Sequence, residues 1–262
     1  KTYRKLLKLR ANLPNHTLLQ YTATPQAHIF IPLVDMLSPD FCKVLEPGSD
    51  YVGGDTFFGD PGRKLIEIIP DNEIDPDREF ELEPPQSLLR ALRDYWIGVA
   101  VGLIRSYAGL NSEPQNRSML IHPSHKNVDH ALYEFRVRTV RTSYTQTLDD
   151  EVCPDRQNLV DEFRGNYSRL SGTSDHTLPP FEQILDRLPE AISMTQVRSV
   201  NQFSKVRNWA DEWKQDYAWI LIGGANLDRG FTVEGLTVTY MPRPKGSGYS
   251  DTIQQRGRFF GY

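Results

Sequence analysis

Four apolar residues in a row, Trp219-Ile220-Leu221-Ile222, run directly into Gly223-Gly224. A short unbroken apolar run closed by glycines is the pattern of a strand covered on both faces, which a parallel sheet demands and a half-solvated antiparallel sheet does not. Similar runs recur at Thr17–Thr22, Ser118–His122, Val197–Val200 and Leu236–Met241. Helical periodicity lies between them. Leu88, Leu92, Trp96, Val99 and Leu103 share one face of a helix over Ser87–Tyr107, and further helices are expected over Val128–Leu148, Leu159–Leu170, Phe181–Leu188, Trp209–Asp216 and Thr252–Phe260. Leu6, Leu7, Leu9 and Leu13 make the first segment amphipathic, and Pro14 closes it. Strands alternating with helices define an α/β chain with a parallel sheet and helices on both faces.

The chain divides by composition. Residues 1–31 carry a helix and a strand, and residues 32–117 form an insertion or connector rich in proline, glycine and acidic residues that ends in the long helix. Residues 118–262 hold the remaining strands, with a helical insertion near 150–195. A chain of 262 residues accommodates one large α/β domain or a domain with a substantial insertion. Lys1–Leu9 reads as a helix already under way, and Tyr262 closes an arginine-rich motif, so a piece of a longer polypeptide is expected. The longest apolar run, Trp96–Ile104, contains two glycines and falls well short of the ~20 residues a membrane helix needs, so no membrane partner is expected. No apolar core follows the basic residues Lys1, Arg4 and Lys5, which argues against a signal peptide. Two isolated cysteines, Cys42 and Cys153, fit a reducing cytoplasm. The net charge of −4 excludes a polyanion ligand drawn by the whole-molecule field; any nucleic acid would have to be held locally.

Three segments carry chemistry. Tyr21-Thr22-Ala23-Thr24-Pro25 places small hydroxyl residues at a strand's carboxyl end, where open α/β sheets bind ligands. Gly223-Gly224-Ala225-Asn226-Leu227-Asp228-Arg229-Gly230 follows a buried strand, and its glycines let backbone amides approach a phosphate or sugar. In Asp251-Thr252-Ile253-Gln254-Gln255-Arg256-Gly257-Arg258-Phe259-Phe260, two arginines bracket a glycine on an expected helix. An arginine aimed at a transferring γ-phosphate stabilises the charge that develops there. Each segment alone also reads as an ordinary turn or a solvated helix end; their order is what gives them weight.

That order resembles superfamily 2 helicases. Thr22-Ala23-Thr24-Pro25 is similar to motif III, Met119-Leu120-Ile121-His122-Pro123-Ser124 to motif IV, Gly224–Gly230 to motif V and Gln254–Gly261 to motif VI. More narrowly, six segments resemble the Z1-domain family of bacterial proteins, which join a helicase core, carry an endonuclease label and are linked to defence against foreign DNA. The six are Thr22–Ala27, Ser38–Gly48, Tyr51–Phe58, Ser118–Ser124, Gly223–Arg243 and Asp251–Tyr262.

The resemblance implies a RecA-like parallel sheet, the C-terminal lobe of a nucleic-acid-dependent ATPase, with a loop-rich and helical insertion. It implies ATP and Mg2+ as cofactors of the intact protein, none held tightly by this chain alone. The implied partners are DNA, an N-terminal ATPase lobe of the same polypeptide and proteins of a defence system. By motif position, Thr22 and Thr24 sense the nucleotide. Gly224, Asn226, Asp228, Arg229, Gly230, Gln254 and Gln255 bind it or couple it to movement. Arg229, His122 and Ser124 touch nucleic acid, and Arg256 or Arg258 is the catalytic finger, the alignment leaving both open. Better-known helicases have Thr-Asp where this chain has Gly224-Ala225, so Asn226 is the candidate for the ribose contact. No phosphate-binding Gly-x-x-x-x-Gly-Lys-[Ser/Thr] loop is present in the chain. Two other classes stay open: a metal-dependent endonuclease domain, as the family label suggests, and a non-catalytic platform built on the helicase fold. His122, His125 and His130 do not have the converging spacing of zinc ligands, and no metal site is expected.

Overall fold

In the computed structural model the described residues are 2–21, 35, 37–46, 48, 59, 62–74, 83–109, 116–124, 126–173, 177–200, 215–224, 233 and 235–242. The chain forms two compact units, residues 1–54 with 247–262, and residues 55–246.

In the first unit, α1 (Thr2–Ala11) is the amphipathic helix expected, and the chain leaves it ahead of Pro14. Tyr3 donates a hydrogen bond to the Asp35 carboxylate, whose other oxygen accepts from the Leu37 amide at 2.8 Å. The strand expected at Thr17–Thr22 is not formed over its described residues. Residues 16–21 are irregular, and Leu19 and Tyr21 are 60% and 87% exposed. An apolar run becomes a buried strand only when a neighbouring strand takes its backbone hydrogen bonds. The described residues of this unit supply none.

The described residues of the second unit form four parallel strands: β1 (Arg117–Ile121), β2 (Gln196–Val200), β3 (Ala218–Gly223) and β4 (Leu236–Tyr240), ordered β2-β3-β1-β4. β1 and β3 run side by side in the centre, Arg117 opposite Ala218 and Ile121 opposite Ile222. Every residue of β3 is buried, as its unbroken apolar sequence requires. β4 lies at one edge of the described sheet and alternates, with Thr237 and Thr239 exposed and Tyr240 buried.

Gly235 opens β4 with φ +62°, and its carbonyl accepts the Ser118 amide at 2.8 Å. A Cβ here would sit 1.6 Å from the Asn116 carbonyl oxygen. Gly235→Ala is therefore expected to cost about 1–3 kcal/mol through the left-handed backbone alone. It should lower the urea midpoint at unchanged slope; an unaltered midpoint would refute this account of the β1–β4 entry.

Among the described residues, α2 (Gln86–Tyr107) and α3 (Asn127–Asp149) pack on one face of the sheet, and α4 (Arg156–Ser171) and α5 (Phe181–Ser193) pack on those two helices. Their apolar residues share a core with Met119, Ile121, Val197, Ala218, Ile220, Ile222 and Tyr240. The alternate strand residues Leu120, Trp219 and Leu221 point the other way and are equally buried, with the Arg198 guanidinium 5.3 Å from the Trp219 ring. Burial on both faces is the arrangement of an α/β parallel sheet, the fold class the alternation of elements implies.

α2 is central to this core. Leu88, Leu92, Tyr95, Trp96, Val99 and Ala100 are all fully buried. The Tyr95 hydroxyl donates to the Arg117 carbonyl at 2.9 Å, and the Trp96 indole N–H donates to Thr195 Oγ1 at 3.2 Å. A buried cation holds α4 against α2. Arg93 donates to Asn166 at 3.1 Å, to the Tyr144 hydroxyl at 3.0 Å and to Glu162 at 2.8 Å. Next to it, burial pushes the Asp94 carboxyl above the usual aspartate range, although Asn166 and Arg169 both donate to it. No helix among the described residues is long and apolar enough to cross a membrane.

Candidate functional site

Because β1 and β3 are adjacent and parallel, both release the chain at the same edge of the sheet. β1 ends in His122-Pro123-Ser124, the turn into α3, and β3 ends in Gly223-Gly224. Carboxyl ends of neighbouring parallel strands are where open α/β sheets place their ligands.

His122 is fully buried, and its amide donates to the Tyr240 carbonyl at 2.9 Å, fixing the height at which β1 stops. Ser124 organises the turn. Its hydroxyl donates to the Asp129 carboxylate and accepts the Lys126 amide at 2.8 Å. Helix α3 then begins with Lys126 in the N-cap position and no side-chain cap. The amides of an uncapped first turn and the positive end of the helix dipole favour an anion. Lys126 is exposed beside them, while Asp129 in the first turn opposes too deep an approach.

His130, one turn into α3, is only 4% exposed, and its Nε2 lies 2.9 Å from the Ser124 carbonyl oxygen. The imidazole also faces Gly224. A Cβ on Gly224 would lie 2.9 Å from the Ser124 carbonyl oxygen and 3.2 Å from Cε1 and Nε2 of His130. Glycine is required there because the backbone leaving β3 passes directly against the β1–α3 turn.

Three residues expected to act from the sequence, His122, Ser124 and Gly224, are thus brought to one edge. Thr22, Thr24, Asn226, Asp228, Arg229, Gly230, Gln254, Gln255, Arg256 and Arg258 lie outside the described residues, as do His125 and the helices expected at Thr252–Phe260 and over most of Trp209–Asp216. Asp129 is a member of the edge that sequence reasoning missed, and His130 was weighed there only as a metal ligand. Their one sequence signal is position, within the first turn or so of a helix that follows a buried strand.

A parallel four-stranded sheet flanked by helices defines the described part of the chain as an α/β domain. The model of the Z1 domain matches residues 87–262, well over half of the chain, and takes in all four strands. The chain belongs to the Z1 domain family. Neither the curated proteins nor the solved structures give a match.

Proposed function

We propose that this chain is the second lobe of a helicase-like, nucleic-acid-dependent ATPase of the Z1 family, acting in bacterial defence against foreign DNA. The observation that carries the reading is the meeting of the β1–α3 turn and the β3 exit at one sheet edge, His130 and Ser124 lying against Gly224. The motif IV-like segment ends in the first of these turns, and the motif V-like segment begins in the second. Gly224 fits the role of a cradle, since its bare backbone admits a phosphate or sugar that a side chain would exclude. The uncapped α3 terminus with Ser124 and Lys126 is suited to a nucleic-acid phosphate.

In this reading ATP and Mg2+ bind between an N-terminal lobe of the same polypeptide and this one. Thr22 and Thr24 respond to the nucleotide, while Asn226, Asp228, Gly230, Gln254 and Gln255 line it. Arg229 links it to the DNA backbone, and Arg256 or Arg258 reaches the γ-phosphate. The cytoplasm is the compartment that suits such a motor. The test is hydrolysis by two proteins. The intact polypeptide is expected to hydrolyse ATP faster when DNA is added, and residues 1–262 alone to give no turnover. Turnover by residues 1–262 alone, or none by the intact protein with DNA or RNA, would overturn the proposal.

A further inference from the structure

α2 carries two glycines one turn apart, and the fold fills the space over only one of them. A Cβ on Gly102 would meet the Tyr217 hydroxyl at 1.9 Å and Arg117 Nε at 3.3 Å, so its bare backbone makes room for both side chains. A Cβ on Gly98 would meet nothing within 4 Å among the described residues. Glycine inside a helix weakens it relative to alanine, and nothing in the packing described around Gly98 requires it. Over Gly98 lies a groove of about 360 Å³. Small-molecule sites occupy roughly 300–1,000 Å³ and pair apolar walls with a few placed polar groups. The walls here are Ile97 and Val101 of α2, Leu170 of α4, Leu178 ahead of α5, and Val238 of β4. Arg117 opens β1 and Thr237 lies near the start of β4, so the groove sits toward the amino ends of these strands, away from the edge that holds His122 and Gly224.

Four of the described lining residues have polar side chains, and three of these are already committed. Thr173 donates to the Leu170 carbonyl at 2.9 Å and Thr237 to the Ser118 carbonyl at 3.1 Å. Asp94 accepts from Asn166 and Arg169. It also lies two turns before Gly102, about 12 Å away along the helix. Arg117 is the fourth. The Tyr217 hydroxyl lies beside its guanidinium, which has five N–H donors to place. No carboxylate among the described residues pairs with it. A half-buried guanidinium with donors to spare, next to apolar walls, is matched by a carboxylate, whose two oxygens fit the planar fork.

We propose that this groove binds a small molecule with an apolar body and one carboxylate, the body lying over Gly98 and the carboxylate on Arg117. The site does not depend on the nucleotide reading above, and its failure would leave that reading standing.

The test uses the intact protein and two pairs of probes, 2-naphthoate with 2-naphthamide and octanoate with octanamide, titrated by ligand-observed NMR. At least one carboxylate is expected to bind about tenfold more tightly than its amide, as charge-assisted hydrogen bonds to one arginine allow. Arg117→Gln should bring that ratio close to one, since it keeps a donor and removes the charge. Gly98→Leu should abolish binding of carboxylate and amide alike, because its side chain occupies the space the body needs. Gly98→Ala should raise the urea midpoint through its better helix propensity and weaken binding only in part, which guards against a leucine variant that folds poorly. Absence of binding by both carboxylates at millimolar concentration, equal binding of acid and amide, or wild-type affinity in a folded Gly98→Leu or in Arg117→Gln overturns the proposal.

Discussion

Replacing Arg256 and Arg258 together by alanine in the intact protein is expected to slow ATP hydrolysis by about 10³-fold or more, with ATP affinity changed by no more than about threefold. The asymmetry follows from the charge an arginine finger meets. In the proposed complex the ground-state γ-phosphate would already be neutralised by Mg2+ and the opposite lobe. In the transition state charge would spread onto oxygens that an inserted guanidinium reaches, so under the proposed reading its loss falls on kcat. The single substitutions divide the assignment that the sequence leaves open. One of them should reproduce the double variant, and the other should cost little. Replacing the critical arginine by lysine should restore only a small part of the rate, because a point charge lacks the planar fork that grips two oxygens. Steady-state turnover and equilibrium nucleotide binding on the same samples decide the matter. Wild-type turnover in the double variant would remove both residues from the chemistry, and an equal loss of affinity and rate would make them ground-state ligands instead.

The fold was readable where burial alone writes the sequence. Trp219–Ile222 is apolar at every position because both faces of β3 are covered, and no half-exposed element has that pattern. Leu88, Leu92, Trp96, Val99 and Leu103 marked α2 for the same reason, and each is buried. Thr17–Thr22 shows where the method stops. Leu18 and Leu19 have strand composition, but pairing depends on residues distant in sequence, and a local run is silent about them. Arg93 is a second instance: nothing in the residues around it marks it as buried, yet it packs against Glu162, Asn166 and Tyr144. Its partners lie on α3 and α4, so no window of sequence contains the network.

The site divides in the same way. His122 and Ser124 were legible through their motif IV-like position and Gly224 because it follows a buried strand; the structure brings them together because strand ends meet at one edge of a parallel sheet. His130 did not stand out as a member of the edge, because its part depends on a glycine that follows a different strand. That contact exists only after β1 and β3 have paired in register.

Trp96→Ala is expected to cost about 3–5 kcal/mol, the usual range for removing a fully buried tryptophan. This is a large share of the 5–15 kcal/mol by which domains exceed their unfolded state. Trp96 has no exposed surface, and its ring packs against Tyr144 with centroids 5.8 Å apart. Its indole N–H is bound to Thr195, which itself donates to the Ala191 carbonyl at 2.7 Å, so truncation leaves Thr195 with a partner. The loss is therefore mainly one of packing, and Trp96→Phe should recover much of it, costing about 1–2 kcal/mol. Phe135→Ala sets the baseline. That side chain is 53% exposed, and its truncation should lie within about 0.5 kcal/mol of wild type. Urea unfolding of the three variants would read the ordering directly, and a Trp96→Ala cost near that of Phe135→Ala would mean that α2 does not carry the core. The consequence reaches the site through the neighbouring residue. Tyr95 holds the carbonyl of Arg117, the first residue of β1, and the far end of that strand presents His122 and Ser124 at the edge. A helix loosened at Trp96 therefore releases the strand that presents this edge, and Trp96→Ala should weaken the nucleic-acid binding proposed for it even under conditions where the protein remains folded.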